Sequence, residues 1–394
     1  MSESFNIQDD EAGIEESTVI AARKNFSSGD YDGALKLYNG LLSMSANSQL
    51  YFETAMCYYK LNLDNEAIDY FKKSISLGLK SPLAYSYLGN IYYRLKDTKE
   101  AIKYWHISRF TGPEDEAVCL NLAVAYYSKN MMFEAMSLYE NYLKYSKDKT
   151  TEGYKTIQKN INKCFSIAND YNIKGEKAQF ARDFTTARTC FVYAVKNYPI
   201  LYEPNLNLGK LYYEAGNYEN SLVFLKQAYR INSTDKQLLL LIGDCYENLA
   251  QYGYAYCYYK RYLDKSISNQ SDYLAGTKKI SRVKLLITDS IKELHIEKAK
   301  SYEDSGEYYN ALEEYENSSI LMPERENEIK ESLTIMRKYI NPEADLINMY
   351  IKKGIEQRDI RNYPEANKYF TRVMTLSNPN STEYKSAKSK IINV

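Results

Sequence analysis

The sequence predicts an all-α fold, an α-α superhelix (a solenoid) of about nine helix-turn-helix repeats with three extra inserted helices and a C-terminal capping helix. Three observations predict it. Chain breakers are scarce, with 8 prolines and 16 glycines among 394 residues, while 42 tyrosines beside one tryptophan supply large amphipathic rings for a core. The length exceeds the ~100–200 residues of one ordinary domain, which leaves either several domains or one long array. A small residue then recurs at Ala34, Ala67, Ala101, Ala135, Ala187, Ser221, Ala255, Ala311 and Ala366, at spacings of 33, 34, 34, 52, 34, 34, 56 and 55.

Each unit repeats further marks around that anchor. Twelve residues before it stands another small residue, Ala22, Ala55, Gly89, Ala123, Gly175, Gly209, Gly243, Ala299 and Gly354. Glycine inside a helix costs ~1 kcal/mol against alanine, so its recurrence marks a place where two helices approach too closely for a larger side chain. Four residues after the anchor comes a ring in eight of nine units, from Tyr38 and Phe71 through Trp105 to Phe370, with Leu225 the exception. Anchor and ring share one face of a second helix, and the small slot lies on a first helix. Nine residues before the anchor, Tyr58, Tyr92, Tyr126, Tyr212, Tyr246 and Tyr302 read as further core rings. The turn between helices is written GDY, GNY, GEY or RNY, beginning at Gly29, Gly216, Gly306 and Arg361, and proline follows the second helix at Pro113, Pro199, Pro323 and Pro379.

This pattern resembles the tetratricopeptide repeat, a helix-turn-helix unit of 34 residues, across about Glu15 to Asn380. It is clearest in SPLAYSYLGNIYYRLKDTKEAIKYWHISRFTGP and in YEPNLNLGKLYYEAGNYENSLVFLKQAYRINS. Asn25 and Gln357 replace the aromatic slot in the first and last units, as terminal repeats facing solvent allow. The three long spacings hold TTEGYKTIQKNINKCF, SDYLAGTKKISRVKLLI and ERENEIKESLTIMRKYI, each polar-led and amphipathic, and a fourth such segment, STEYKSAKSKIINV, ends the sequence. The organisation expected is therefore an acidic, disordered tail over 1–14, repeats 1–4 over 15–149, an extra helix over 150–167 and repeats 5–7 over 168–269. An extra helix over 270–291, repeat 8 over 292–325, an extra helix over 326–346, repeat 9 over 347–380 and a cap over 381–394 follow. In the cap, Tyr384, Ala387 and Ile391 share one face. Stacking of nearest neighbours alone makes an elongated particle.

The 51 basic and 51 acidic residues balance, which argues against nucleic acid as a partner and against a polybasic membrane surface. The first seventeen residues hold six carboxylates and no basic residue precedes Arg23, so no secretory leader is expected and the chain is placed in the cytoplasm. No apolar run approaches ~20 residues, so no membrane insertion is expected. The six cysteines form no CxxC pair, and the two histidines, His106 and His295, lie in different repeats. No phosphate loop, nucleophile elbow or zinc motif occurs. Neither enzyme activity nor a cofactor or metal is expected.

In the family that this pattern resembles, the first helices build a concave groove that holds a partner's peptide or helix. The slots fifteen, eleven, eight and seven residues before each anchor would line it: Phe52, Met56, Tyr59 and Lys60, then Ser86, Asn90, Tyr93 and Arg94, then Leu120, Val124, Tyr127 and Ser128. One ring of each YY pair, as in Tyr92 and Tyr93, should face the core and the next the groove. The family's clamp for chaperone C-terminal carboxylates is not formed, since its pairs fall on Val19 with Arg23, Phe52 with Met56, and Ser86 with Asn90. Further along, Asp244 and Glu247, then Glu303 and Asp304, predict an acidic patch. The function expected is a non-enzymatic scaffold or adaptor for protein partners. The alternatives are a self-associating component of a larger assembly and, less favoured, a regulatory enzyme.

Overall fold

In the computed structural model, the described residues are 7–112, 115–267, 269–377 and 382–391, and every regular element among them is helical. They fall in two compact units that divide between Val118 and Cys119. In the first, α1 (Ile7–Ser27) pairs with α2 (Tyr31–Met44), α3 (Ser48–Lys60) with α4 (Asp64–Ser76), and α5 (Pro82–Arg94) with α6 (Thr98–Thr111). The division runs through α7 (Glu116–Ser128), which is followed by α8 (Met132–Tyr145). In the second unit α9 (Glu152–Phe180) pairs with α10 (Phe184–Asn197), α11 (Tyr202–Glu214) with α12 (Tyr218–Ile231), and α13 (Lys236–Asn248) with α14 (Tyr252–Asp264). After α15 (Gln270–Lys284) come the pair α16 (Asp289–Ser305) and α17 (Tyr308–Leu321), then α18 (Glu326–Ile340), the pair α19 (Glu343–Asp359) and α20 (Tyr363–Leu376), and α21 (Thr382–Lys390). The described residues thus form nine hairpins, with α15, α18 and α21 standing outside them.

One turn geometry recurs in all nine hairpins. The residue five before the anchor has positive φ: Gly29, Asn62, Lys96, Asn130, Arg182, Gly216, Ala250, Gly306 and Arg361. Such a left-handed residue ends a helix because it lets the next N–H reach back to a free carbonyl of the last turn. Asp30 N–H donates to Asn25 O at 2.9 Å, Asp97 N–H to Tyr92 O at 2.9 Å, and Glu307 N–H to Tyr302 O at 2.9 Å. The following residue caps the second helix. Asp30, Asp97, Asp183 and Asn217 each accept, through a side-chain oxygen, the N–H three residues on.

Where the small slot is glycine, the core-slot side chain lies directly on it, a ring in four hairpins and Leu225 in a fifth. A Cβ added at Gly89 would stand 2.4 Å from Trp105, at Gly175 2.6 Å from Phe191, at Gly243 2.5 Å from Tyr259 and at Gly354 2.7 Å from Phe370. These rings are buried, as are Tyr38, Phe71 and Tyr315, which meet alanine instead. Ser221 replaces alanine at its anchor at no cost in orphaned polarity, since its hydroxyl donates to Gly209 O at 2.8 Å.

Several expectations are corrected. Helix α1 already begins at Ile7, inside the stretch expected to be disordered. The first extra helix is not separate. It runs without a break into the first helix of repeat 5, because no glycine or proline intervenes and the buried stripe Tyr154, Ile161, Ala168, Asn172 and Gly175 continues through the junction. The second extra helix stops at Lys284 and the third at Ile340, each before its expected end. Tyr92 and Tyr58 are not core rings: half-buried, they lie against Tyr104 at 5.4 Å and Tyr70 at 4.9 Å, and Ile91 and Leu88 fill the core instead. Residues 1–6, Pro113, Pro379 and the ends of the cap lie outside the described residues.

Nearest-neighbour stacking also fails as a full account of the second unit. Repeat 4 meets repeat 9 in one apolar cluster that includes Cys119, Tyr142, Ile347, Phe370 and Ala387 of α21. Tyr145 Oη donates to Glu343 at 2.6 Å, and Lys144 Nζ to Leu376 O at 3.0 Å. Arg230 of repeat 6 lies between Phe133 of repeat 4, at 4.1 Å, and Tyr309 of repeat 8, at 3.7 Å, while Nη2 donates to Glu134 at 2.8 Å. This unit curls until its ends touch.

The turn and the contact give opposite predictions for glycine. Ala250→Gly should stabilise the protein by about 1 kcal/mol, since the left-handed conformation at φ 56° strains alanine. Gly243→Ala should destabilise it by ~1–3 kcal/mol through the clash with Tyr259. Denaturant midpoints at a constant slope measure both.

Candidate functional site

The face expected to line a groove has unequal members in the first unit. Phe52 and Met56 are half-buried in the cluster built on Phe71 and Leu88, with Phe52 5.7 Å from Phe71. Tyr59 lies 4.8 Å from Tyr87, and the Arg94 guanidinium sits 5.2 Å over its ring. Asn90 is engaged within the hairpin, since its Oδ1 accepts from Trp105 Nε1 at 3.0 Å. Arg94 is ion-paired with Asp64, and its Nη1 donates to Asn62 at 2.7 Å. Tyr93 rests 5.4 Å from Trp105 and keeps 37% of its surface exposed, beside exposed Lys60 and Arg94 in the neighbouring slots. In the other unit Tyr127 is 59% exposed.

The carboxylates of repeat 7 do not form an open acidic patch. Tyr259 Oη lies 2.6 Å from both Asp244 and Glu247 and donates its one proton between them, while α15 brings Lys279 to Asp244 and Arg282 to Glu247. The extra helix neutralises this pair. Burial disfavours ionised Glu247, yet the hydrogen bonds from Arg282 and Tyr259 outweigh it and hold the carboxyl below its ordinary value of 4.5. Glu303 accepts from Tyr315 Oη at 2.7 Å; burial first, and this bond second, push the phenol up to about 12. Asp304 alone is exposed.

The tips of Trp105, Tyr259 and Tyr315 each reach a polar residue in the slot eleven or eight residues before the anchor, so in these three hairpins the two slots match in residue type. Tyr38 differs and bonds Glu53, outside those slots.

Two features carried no repeat mark. His295 is buried, and its Nδ1 meets Glu314 at 2.6 Å, while Tyr254 Oη donates to the other Glu314 oxygen at 2.6 Å and Lys298 Nζ donates to Tyr254 at 3.0 Å. The second is a cavity of about 1070 Å³ walled by α12, α14, α17, α18 and the start of α19. On its wall Lys226 pairs with Glu313 at 2.6 Å, and Tyr258 Oη donates to Glu313 at 2.9 Å. Burial opposes ionised Glu313, but Lys226, Arg261 and Tyr258 together hold its carboxyl below the usual range. Among the described residues no cluster of His, Cys, Asp and Glu is placed to hold a metal ion, and no helix is long and apolar enough to cross a membrane.

The paired helices, their common turn and the ring on the small slot define an all-α helical-repeat protein. The tetratricopeptide repeat family profile matches residues 21–82 and again 202–235. Both matched segments are similar to the tetratricopeptide repeat. A TPR repeat-containing protein of Methanocaldococcus jannaschii is 26% identical over 218 residues, which are 52% of this chain and 35% of that protein, so the match spans about a third of the relative's length. Among solved structures, YrrB, described as a TPR protein with an unusual peptide-binding site, is 17% identical and aligns over 56% of this chain and 87% of its own, with a TM-score of 0.29. The complex of the TPR2AB domain of yeast Sti1 with pHSP90 is 12% identical over 69% of this chain and 97% of its own, also with a TM-score of 0.29.

The docking of α15 should depend on pH with a definite sign. Because the folded value of Glu247 lies below 4.5, its contribution is complete above pH 4.5 and is lost as pH falls through the folded value. The protection of amides in Gln270–Lys284 against hydrogen exchange, taken relative to their intrinsic rate at each pH, should therefore fall on acidification below about pH 4.5, and Glu247→Gln should show the reduced protection already at pH 7.

Proposed function

We propose that this protein is a non-enzymatic, cytoplasmic scaffold or adaptor that takes peptides or helices of protein partners on its first-helix faces. Exposed Tyr93 carries the reading. An aromatic ring left 37% exposed, backed by the fixed Trp105, offers an apolar face to stack and a hydroxyl to bond a peptide backbone. Exposed Lys60 edges it with a donor, Arg94 is held beside it by Asp64 and Asn62, and half-buried Phe52, Met56 and Tyr59 give it an apolar floor. Asn90 contributes by orienting Trp105. Tyr127 repeats the exposed ring in the second unit.

Recognition of a chaperone's terminal carboxylate does not suit these residues. Arg23, the one cation in the clamp slots, is held by Glu53 with its Nη2 2.6 Å away, and Ser86 is buried. We read Asp304 as the remaining open acid of the former patch. The peptide-binding site of YrrB and the Sti1 complex are properties of those proteins, and they support a peptide-binding reading here only through the shared repeat.

The test is Tyr93→Ala. It should leave the melting temperature nearly unchanged, since the ring covers Trp105 without filling the core, and sharply reduce the partners recovered by affinity capture from a lysate. Tyr127→Ala tests the second unit separately. A Tyr93→Ala protein that recovers every partner of the parent would refute the reading for the first unit. A concentration-dependent mass in light scattering would favour self-association.

A further inference from the structure

The cavity of about 1070 Å³ contains an arrangement that neither the repeat nor partner binding in general explains. Arg261 on α14 and Arg337 on α18 share one carboxylate. Nη2 of Arg261 stands 3.5 Å from one oxygen of Glu316 and makes no hydrogen bond, while Nη2 of Arg337 stands 3.3 Å from the other. A guanidinium and a carboxylate that satisfy one another meet at about 2.7–2.9 Å, commonly through two parallel bonds. Two guanidiniums around one carboxylate are one anion short. The wall as a whole agrees: Lys226, Arg230, Arg261, Arg337 and Lys338 face Glu313, Glu316 and Asp345, and counting Glu134 on Arg230 still leaves an excess cation in a chain of zero net charge.

We propose that this cavity binds a carboxylate side chain of an acidic, apolar partner peptide. This rests on the scaffold reading above and assigns it a second site. The guanidiniums differ in access, with 58% of the Arg337 side chain exposed and 15% of Arg261. An incoming carboxylate therefore pairs with Arg337 at the mouth. Glu316 then moves wholly to Arg261, which gains the hydrogen bond it lacks, and no charge remains half-paired. The volume stands at the upper end of the ~300–1,000 Å³ range of ligand sites, which leaves room for a short peptide segment. Leu222, Val223, Leu312 and Ile340 supply apolar wall for its alternate residues.

The experiment uses the full chain and a fluorescein-labelled, end-blocked peptide of alternating glutamate and leucine, with its glutamine counterpart as control, in fluorescence anisotropy at low salt. The parent should bind the glutamate peptide at least tenfold more tightly than the control. Arg337→Gln, at an exposed position that folding tolerates, should abolish that preference, and Arg261→Gln should weaken it by leaving Glu316 to Arg337 alone. Glu316→Gln should strengthen binding severalfold, since both guanidiniums lose their internal anion. Circular dichroism checks each variant's helix content. A parent without preference, Arg337→Gln and Glu316→Gln moving affinity in the same direction, or inorganic phosphate displacing the peptide at matching concentration would each overturn the proposal. Because Tyr93 lies in the other unit, its variant separates failure of the scaffold reading from failure of this site.

Discussion

The contact between the core-slot ring and the small residue sixteen positions earlier is the constraint on which the structure depends. At Gly89, Gly175, Gly243 and Gly354 the ring carbons would lie within 2.4–2.7 Å of an added Cβ, so the first helix approaches the ring with its bare backbone. Dispersion falls steeply with separation, and a gap of half an ångström forfeits a large part of it. A ring seated flush on backbone thus fixes the distance between helices, and the left-handed turn residue fixes the path between them. With the turn in all nine hairpins and a ring in eight of them, the two set how each hairpin presents its faces to the next.

The same contact decides which surface residues are left for other work. A ring seated on the first helix pushes its far edge out between the groove-side slots, and a polar edge must be satisfied there. Asn90, Asp244, Glu247 and Glu303 are placed by that requirement. Their polarity belongs first to the hairpin. Tyr93 is different, because the tip of Trp105 is already bonded and Tyr93 covers only part of the indole. Residue type alone would rank Asn90 above Tyr93 as a binding group, whereas the hydrogen-bond accounting reverses that order.

Periodicity made the hairpins, the turns, the anchors and the positions of the added helices legible, because each is a local requirement that every unit must meet again. Unbroken α9 was hidden because the change of spacing between Ala135 and Ala187 reads equally as a separate helix or as an elongated one. The curling of the second unit was hidden for a different reason. Arg230 between Phe133 and Tyr309, and Tyr145 on Glu343, join residues whose separation is no multiple of the repeat, and each occurs once. Of the site, the exposed rings were legible at their slots, while the neutralisation of Asp244 and Glu247 required knowing where α15 comes to rest.

The added helices act where the repeat leaves an interior open. Helix α15 covers the carboxylates of repeat 7 with Lys279 and Arg282, and α18 brings Arg337 to the cavity wall, so both exchange a solvated face for an enclosed one. Enclosure strengthens every ionic contact inside it, since charges there are screened less than on an open helix face. It also raises the cost of any charge left without a partner. At Asp244 and Glu247 each carboxylate has its own cation and the two share the Tyr259 phenol, so no charge there is left over. Around Glu316 the count is reversed, with two guanidiniums on one carboxylate. Helices added to one scaffold by the same means therefore yield a filled contact in one place and an electrostatically incomplete one in the other, and only the incomplete one gains by admitting an anion.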